Sequence, residues 1–223
     1  NNPFYACYTL RTITYDAAAA AVGETIADGA MGNITFDLVV GANVDQLRDY
    51  SQGNANTNHS FSALADYARS ISFAPNNAFT IDAGAFSGAY NPLTSDLSGN
   101  AWVDANGVLY LYDTETNEAM VAYVPAGLEA VTIPGEIVVP KGDAGGTAGT
   151  YAVTRVRQAA FCQASDTTAV TFASPEAITT IDPYAFADCT NLERINGATE
   201  FDTVKATFTN ATFGVTPFYN TKI

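Results

Sequence analysis

Short runs in which apolar and small polar residues alternate recur along the whole chain. Similar runs are centred on Thr14 and Thr35, another lies near Ile195, and the clearest are Ile71-Ser72-Phe73, Val131-Thr132-Ile133 and Val170-Thr171-Phe172. Alternation with a period of two is typical of a β-strand with one buried and one exposed face. The pattern therefore predicts a parallel ladder of short strands whose apolar side chains point inward and whose hydroxyl-bearing side chains point outward.

A sequence repeat accompanies these strands. An isoleucine or valine precedes a phenylalanine by five positions in three places: Ile81 and Phe86, Val156 and Phe161, and Ile181 and Phe186. The segment from Val204 to Phe208 is interpreted as a degenerate fourth copy, in which the interval is one residue shorter. The step is 25 residues from Phe161 to Phe186 and 22 from Phe186 to Phe208, and both values lie within the range of leucine-rich repeats. Because the intervals between the other strands are uneven, we expect an irregular solenoid.

The segment after each strand carries signals for a short helical turn. Asp182-Pro183 has the form of a helix N-cap followed by proline at the first helical position. Phe186 and Cys189 are three residues apart, so they would share one face of that turn and pack under the strand. We therefore expect Cys189 to be a small buried hydrophobic residue.

Two insertions and a distinct amino-terminal region are also predicted. The runs 108–112 and 119–123 flank a polar stretch and indicate a β-hairpin, and the glycine-rich segment 141–150 is expected to be a mobile loop that joins another strand pair. Residues 1–68 have better helical signals, after Asp16 and after Ser60. We predict a degenerate amino-terminal repeat or cap region over 1–68 and a continuous repeat region over 69–223.

Charge and cysteine content narrow the functional classes. The formal net charge is −14, from 23 acidic and 9 basic residues, so the chain would repel nucleic acid. The three cysteines form no CxxC pair, and we predict no metal site and no cofactor. No apolar stretch is long enough to cross a membrane. The chain begins at Asn1, which we interpret as a trimmed mature chain.

Two candidate binding surfaces follow from the strand pattern. The outward positions form a row of mainly small polar side chains. The candidate binding residues in this row are Thr35, Ser70, Ser72, Thr132, Thr171 and Arg194. The row also includes Thr12, Thr14, Asn33 and Asn196. The alternative is that threonine merely suits a solvent-facing strand. A rival site is the hairpin with Tyr110, Tyr112 and Tyr123, because loops often carry specificity and exposed aromatic residues anchor contacts.

A catalytic site is not indicated by the sequence. His59 is the only histidine, and it lies in a segment rich in asparagine and serine with no nucleophile and carboxylate marked as partners. A hydrolase that uses an unrecognised pair of carboxylates is a minor alternative, since any two of the 23 acids could meet in the fold. We predict that the protein is not an enzyme.

The segment ITTIDPYAFADCTNLERI, from Ile178 to Ile195, resembles the BspA-like leucine-rich-repeat proteins found on the surface of gut and oral bacteria. Residues 106–127 and 149–156 are similar to connecting phrases of that family, and the resemblance covers about residues 69–223. It implies an α/β, β-rich fold: a right-handed leucine-rich-repeat solenoid with a parallel β ladder, short helical turns and inserted β-hairpins. Ala89 and Ala164 depart from the family pattern, since each stands where the family has cysteine.

The resemblance also implies a location and a function. It implies export to the cell surface or the extracellular space, and adhesion to a host or bacterial surface protein or glycan rather than catalysis. The alternative is that the chain is a structural spacer or cap within a larger surface protein.

Overall fold

The computed structural model describes residues 10–16, 36–47, 68–86, 97–140 and 148–223. The chain forms two compact units, one of residues 1–107 with 142–146 and the other of residues 108–141 with 147–223. We call them unit 1 and unit 2. Strand β4 of unit 1 begins at Ala68, and the predicted division between residues 68 and 69 stays a prediction.

Unit 1 contains six strands among its described residues. They are β1 (Thr12–Tyr15), β2 (Phe36–Val40), β3 (Gln46–Leu47), β4 (Ala68–Phe73), β5 (Asn77–Ile81) and β6 (Gly99–Val103). Strands β1, β2 and β4 form a parallel sheet in that order, whereas β5 pairs in parallel with β3 and antiparallel with β6. In β2, Phe36, Leu38 and Val40 are all fully buried, as a period of two requires.

Unit 2 contains nine strands and one α-helix among its described residues. They are β7 (Leu109–Asp113), β8 (Glu118–Tyr123), β9 (Ala130–Ile133), β10 (Glu136–Val139), β11 (Gly149–Val156), β12 (Ala169–Phe172), β13 (Thr180–Ile181), β14 (Arg194–Ile195), α1 (Phe201–Thr207) and β15 (Thr212–Phe213). A single turn of 3₁₀-helix covers Pro175–Ala177. Both predicted hairpin pairings are confirmed, since β7 pairs antiparallel with β8 and β10 pairs antiparallel with β11.

Unit 2 has two sheets. In one of them β8, β11, β13 and β15 pair in parallel, and the antiparallel hairpin partners β7 and β10 attach to β8 and β11. The other is a parallel sheet in the order β9, β12 and β14. Its inward side chains are buried, among them Val131, Val170 and Ile195.

The predicted solenoid is wrong, because the sheets mix parallel and antiparallel strands. The strands predicted for one continuous ladder fall into two parallel sheets, β1–β2–β4 in unit 1 and β9–β12–β14 in unit 2. The other strands of the described chain include three antiparallel pairs. A hairpin reverses the chain direction at every turn, so a sequence rich in hairpins does not build the all-parallel ladder that a solenoid needs.

The predicted helical turn after β13 is also wrong. Asp182 to Asp188 form successive turns, and Tyr184 and Asp188 have positive φ angles of 58° and 61°. A residue in this left-handed region cannot continue a right-handed helix. Asp182 therefore does not cap a helix, although Phe186 and Cys189 are fully buried as expected.

The phenylalanines Phe161, Phe186 and Phe218 of unit 2 form a stacked column, in which Phe161 and Phe186 are fully buried. The Phe161 and Phe186 rings are 4.5 Å apart, and the Phe186 and Phe218 rings are 5.0 Å apart. The fourth copy was predicted at Phe208, but the ring of Phe208 lies edge-on against Phe172 instead. The correct partner is Phe218, which follows Phe213 of β15 by five residues.

Several sequence predictions fall outside the described residues. These are the helix from Ala17, the helix after Ser60, and most of the glycine-rich loop 141–150. Within the described ranges, no helix has the length and apolar character needed to cross a bilayer.

Candidate functional site

The outward side of the β9–β12–β14 sheet brings together three of the predicted binding residues. Thr132 of β9 lies directly beside Thr171 of β12, and Arg194 of β14 lies beside Ala169 of β12. Thr132, Thr171 and Arg194 are all exposed. We call these three residues, with the small side chains between them, the threonine face.

The side chains of the threonine face are not committed to internal contacts. Within the described parts of the chain, the hydroxyls of Thr132 and Thr171 and the guanidinium of Arg194 make no hydrogen bond and no ion pair. Asn196 differs, because its Oδ1 accepts the Phe172 amide at 2.8 Å and its Nδ2 donates to the Thr207 hydroxyl at 2.9 Å. Asn196 therefore supports the fold rather than the exposed surface.

A second polar surface lies on the β1–β2–β4 sheet of unit 1. Ser70 is beside Asp37, and Ser72 is beside Val39. The Ser70 hydroxyl donates to Asp37 at 2.7 Å, and Arg69 donates to both carboxylate oxygens at 3.0 and 2.6 Å. These hydrogen bonds, that of Arg69 first, lower the pKa of Asp37 below its usual value. The Ser70 hydroxyl is therefore used in a hydrogen bond to the Arg69–Asp37 ion pair.

Asp37 was missed as a surface residue. It alternates with the buried Phe36, Leu38 and Val40, and that alternation is visible in the sequence. The predicted strand was instead centred on Thr35, which lies outside the described residues together with Asn33. A strand placed three residues later would have put Asp37 on the outward side.

The predicted exposure of the hairpin tyrosines is wrong. Tyr110 and Tyr123 are at most 1 % exposed and Tyr112 is 6 % exposed. The Tyr112 ring lies 4.5 Å from that of Tyr151, and burial followed by the charge of Tyr151 raises the pKa of Tyr112. Burial also raises the pKa of Tyr123. Because they are buried, these tyrosine side chains are not available as exposed anchors. The alternation of residues in the sequence could not show that both sides of β7 are covered.

Arg155 and Asp182 form the most extensive ion pair described. Arg155 of β11 donates through Nε and one terminal nitrogen to the Asp182 carboxylate at 2.8 to 3.1 Å. The Gln158 amide donates to the same carboxylate at 3.2 Å. Asp182 is nearly buried, so the pair fixes the turn after β13 to strand β11.

The thiols of unit 2 are poor nucleophiles at neutral pH. Burial raises the pKa of Cys162 to about 12 and that of Cys189 to about 12, whereas nucleophilic attack requires the thiolate. Cys189 Sγ donates to the Ala164 carbonyl at 2.9 Å. Within the described ranges, no three histidine, cysteine, aspartate or glutamate side chains lie close enough together to hold a metal ion. His59 lies outside them.

The chain is similar to a solved structure but matches no family model. No protein-family model matches the chain, and no curated protein matches it. A solved structure, a leucine rich cell surface protein from Faecalibacterium prausnitzii A2-165, is similar with 20 % identity and a TM-score of 0.39. The match covers 54 % of this chain and only 28 % of that protein. A likeness at this level carries no argument about fold or function, and the resemblance to the BspA-like family stays a prediction.

Proposed function

We propose that this chain is a non-catalytic binding module of the cell surface or the extracellular space. Its threonine face would bind a surface protein or glycan. The observation that carries the proposal is the alignment of Thr132 with Thr171 on one parallel sheet whose third strand carries the exposed Arg194. Small side chains leave room for a partner to approach the strands closely, and hydroxyl groups can both donate and accept hydrogen bonds.

The ion pairing of the arginines also supports the choice of the threonine face as the binding surface. Arg69 and Arg155 are held by Asp37 and Asp182, whereas Arg194 has no ion-pair partner among the described residues. Arginine is frequent in binding surfaces because its planar group donates several hydrogen bonds in a fixed geometry. Arg194 is thus the cation of this sheet that is available to an acidic or hydroxyl-rich partner.

The non-catalytic part of the proposal rests on the chemistry of the described side chains. The two described thiols have pKa values of about 12. The buried carboxylate of Asp182 already accepts hydrogen bonds from Arg155 and Gln158, so it is occupied by a structural contact. A hydrolase with an unrecognised carboxylate pair remains the competing function, and turnover of a polysaccharide would favour it.

The direct test is binding of the whole purified chain to an array of glycans and surface-matrix proteins. We expect reproducible binding to at least one class of partner. The double variant Thr132→Trp with Thr171→Trp should lose at least about tenfold in affinity, because two bulky rings would hold a partner away from the strands while remaining compatible with strand structure. Arg194→Gln should weaken the same interaction.

A matched control is available in the same unit. Thr190 and Thr209 are exposed threonines outside the three-stranded sheet, so Thr190→Trp with Thr209→Trp should bind like the parent. Loss of binding in both double variants would indicate a nonspecific effect of tryptophan and would contradict the threonine face. Absence of any binding by the parent would instead favour a structural spacer or cap.

A further inference from the structure

Asparagine followed by glycine occurs twice in the chain, at Asn106-Gly107 and at Asn196-Gly197. In such a pair the backbone nitrogen of the glycine can attack the side-chain amide of the asparagine, because glycine has no Cβ to obstruct the approach and adopts many backbone angles. The two pairs are equivalent at this level of the sequence. In the folded chain, however, the two asparagine side chains have different surroundings.

The Asn196 side chain is held at both of its polar atoms. Its Oδ1 accepts the Phe172 amide at 2.8 Å, and its Nδ2 donates to the Thr207 hydroxyl at 2.9 Å. The turn around it is closed as well, because Ile195 and Ala198 exchange two backbone hydrogen bonds of 2.9 Å. For Asn196 to react, its side chain would have to break two part-buried hydrogen bonds, which raises the barrier.

The Asn106 side chain is exposed, and it makes no hydrogen bond to any part of the chain that the structure describes. Its turn, between β6 and β7, is closed through Asp104, whose side chain accepts the Asn106 amide at 2.8 Å and whose carbonyl accepts the Gly107 amide at 3.1 Å. The bond to the Asp104 side chain is exposed to solvent, so water can replace it at little cost. Local opening of this turn therefore brings the Gly107 nitrogen to the Asn106 side chain without disturbing the strands.

We propose that Asn106 is a site at which the chain modifies itself, by spontaneous deamidation. The Gly107 nitrogen forms a bond to Asn106 Cγ and loses its proton to solvent, while the Cγ–Nδ2 bond breaks and the side-chain amide leaves as ammonia. Water then opens the resulting five-membered imide at one of its two carbonyl carbons. Opening at Cγ yields aspartate, and opening at the backbone carbonyl yields isoaspartate.

Either product places a second carboxylate close to Asp104. The formal net charge of the chain becomes one unit more negative than −14, and isoaspartate also lengthens the connection between β6 and β7 by one backbone carbon. Two like charges within one turn repel each other, so we expect the modified turn to open more readily than the parent turn. The site is separate from the threonine face.

One incubation of the whole folded chain at mildly alkaline pH, followed by digestion and mass spectrometry, compares the two pairs. The peptide that contains Asn106 should gain the mass of deamidation at least about tenfold faster than the peptide that contains Asn196, because only Asn196 must first give up two side-chain hydrogen bonds. Asn106→Gln should abolish the fast reaction, since the longer side chain has to close a larger ring. Equal rates, or a faster reaction at Asn196, would overturn the proposal.

Denaturant separates the effect of the fold from that of the local sequence. In urea concentrated enough to unfold the chain, the two pairs should react at rates within about threefold of each other, because both are then flexible Asn-Gly pairs. A difference that persists unchanged in urea would show that neighbouring residues set the rates, and would contradict the assignment from the folded structure.

The hydrogen bond from Asn196 to Thr207 can be tested by itself. Thr207→Val removes the acceptor of the Asn196 Nδ2 group, so the reaction at Asn196 should become at least about threefold faster while that at Asn106 stays the same. Thr209→Val, at an exposed threonine, is the matched control and should change neither rate.

A second variant covers the case in which Thr207→Val loosens α1 in circular dichroism. Thr207→Ser keeps the hydroxyl group, and Asn196 in this variant should react as slowly as in the parent. An unchanged rate at Asn196 in a folded Thr207→Val variant, or an equally fast reaction in Thr207→Ser, would show that the hydrogen bonds do not protect Asn196 and would overturn the assignment.

Discussion

The turn after β5 in unit 1 and the turn after β13 in unit 2 are built in the same way. In unit 1 the strand pair is β3 with β5, where Leu47 lies beside Ile81; in unit 2 it is β11 with β13, where Val156 lies beside Ile181. The amide after each strand donates to the neighbouring strand at 2.9 Å, from Asp82 in unit 1 and from Asp182 in unit 2. A buried phenylalanine, Phe86 or Phe186, ends each turn.

Two positions differ between these turns. The carboxylate of Asp82 accepts a neutral amide hydrogen from Gln46 at 2.8 Å, whereas that of Asp182 accepts the charged guanidinium of Arg155. The left-handed position holds Gly84 in unit 1, with φ 88°, and Tyr184 in unit 2. An acidic acceptor, a left-handed residue and a buried aromatic ring are thus common to these two turns, whereas the hydrogen-bond donor differs between them.

The largest expected effect is the loss of the buried ring. Phe86→Ala and Phe186→Ala should each reduce the free energy of unfolding by roughly 3 to 5 kcal/mol, because each leaves a cavity in a packed core. Chemical denaturation of the whole chain measures both changes. Val138→Ala, at a 64 % exposed position, is the control and should stay within about 0.5 kcal/mol of the parent. A near-parental Phe186→Ala variant would contradict the stacked column.

The next largest effect on stability is expected from the difference between the two turns in the hydrogen-bond donor to the aspartate. Asp182→Asn should cost roughly 1.5 to 3 kcal/mol, since it weakens hydrogen bonds to a charged and nearly buried acceptor. Asp82→Asn should cost about 0.5 to 1.5 kcal/mol, because its described partner is a neutral amide.

A double-mutant cycle sharpens this difference. Arg155→Gln gives unit 2 the donor that unit 1 already has, so the coupling between residues 155 and 182 measures what the charge contributes. Equal costs for Asp182→Asn and Asp82→Asn, with no coupling in the cycle, would show that the two donors are interchangeable in energy as well as in geometry.

The local elements were predictable from the sequence because they depend on local patterns. Alternation located β4, β9 and β12, and polar breaks between apolar runs located both hairpins. The five-residue interval identified Phe161 and Phe186 but not Phe218, because the residue five positions before Phe218 is Phe213 rather than isoleucine or valine. A repeat that preserves backbone angles and a buried ring, but few side chains, is hard to see in a single sequence.

Sheet assembly was not predictable in the same way. Strand pairing depends on contacts between residues distant in sequence, and a period of two does not specify whether the neighbour is parallel or antiparallel. The threonine face illustrates the limit. Its outward orientation followed from alternation, but the pairing of Thr132 with Thr171 and the freedom of Arg194 required the structure. The burial of Tyr110 likewise depends on what covers the second side of its strand.

The smallest expected effect concerns the left-handed position. Gly84→Ala should lower the free energy of unfolding by about 1 kcal/mol, because a side chain disfavours a positive φ angle by roughly 1 to 2 kcal/mol while alanine restricts the unfolded chain. Tyr184→Gly is the converse change and should raise stability by less than about 1 kcal/mol, since relief of the backbone strain is offset by the entropy of glycine.

Tyr184→Asn separates the two contributions at that position. Asparagine tolerates the left-handed region without the full entropy cost of glycine, so this variant should be at least as stable as Tyr184→Gly in the same denaturation experiment. If both substitutions instead destabilise the chain by more than about 1 kcal/mol, the 43 % exposed Tyr184 ring contributes packing that outweighs its backbone strain. The two turns would then be alike in backbone geometry but stabilised by different side-chain contacts.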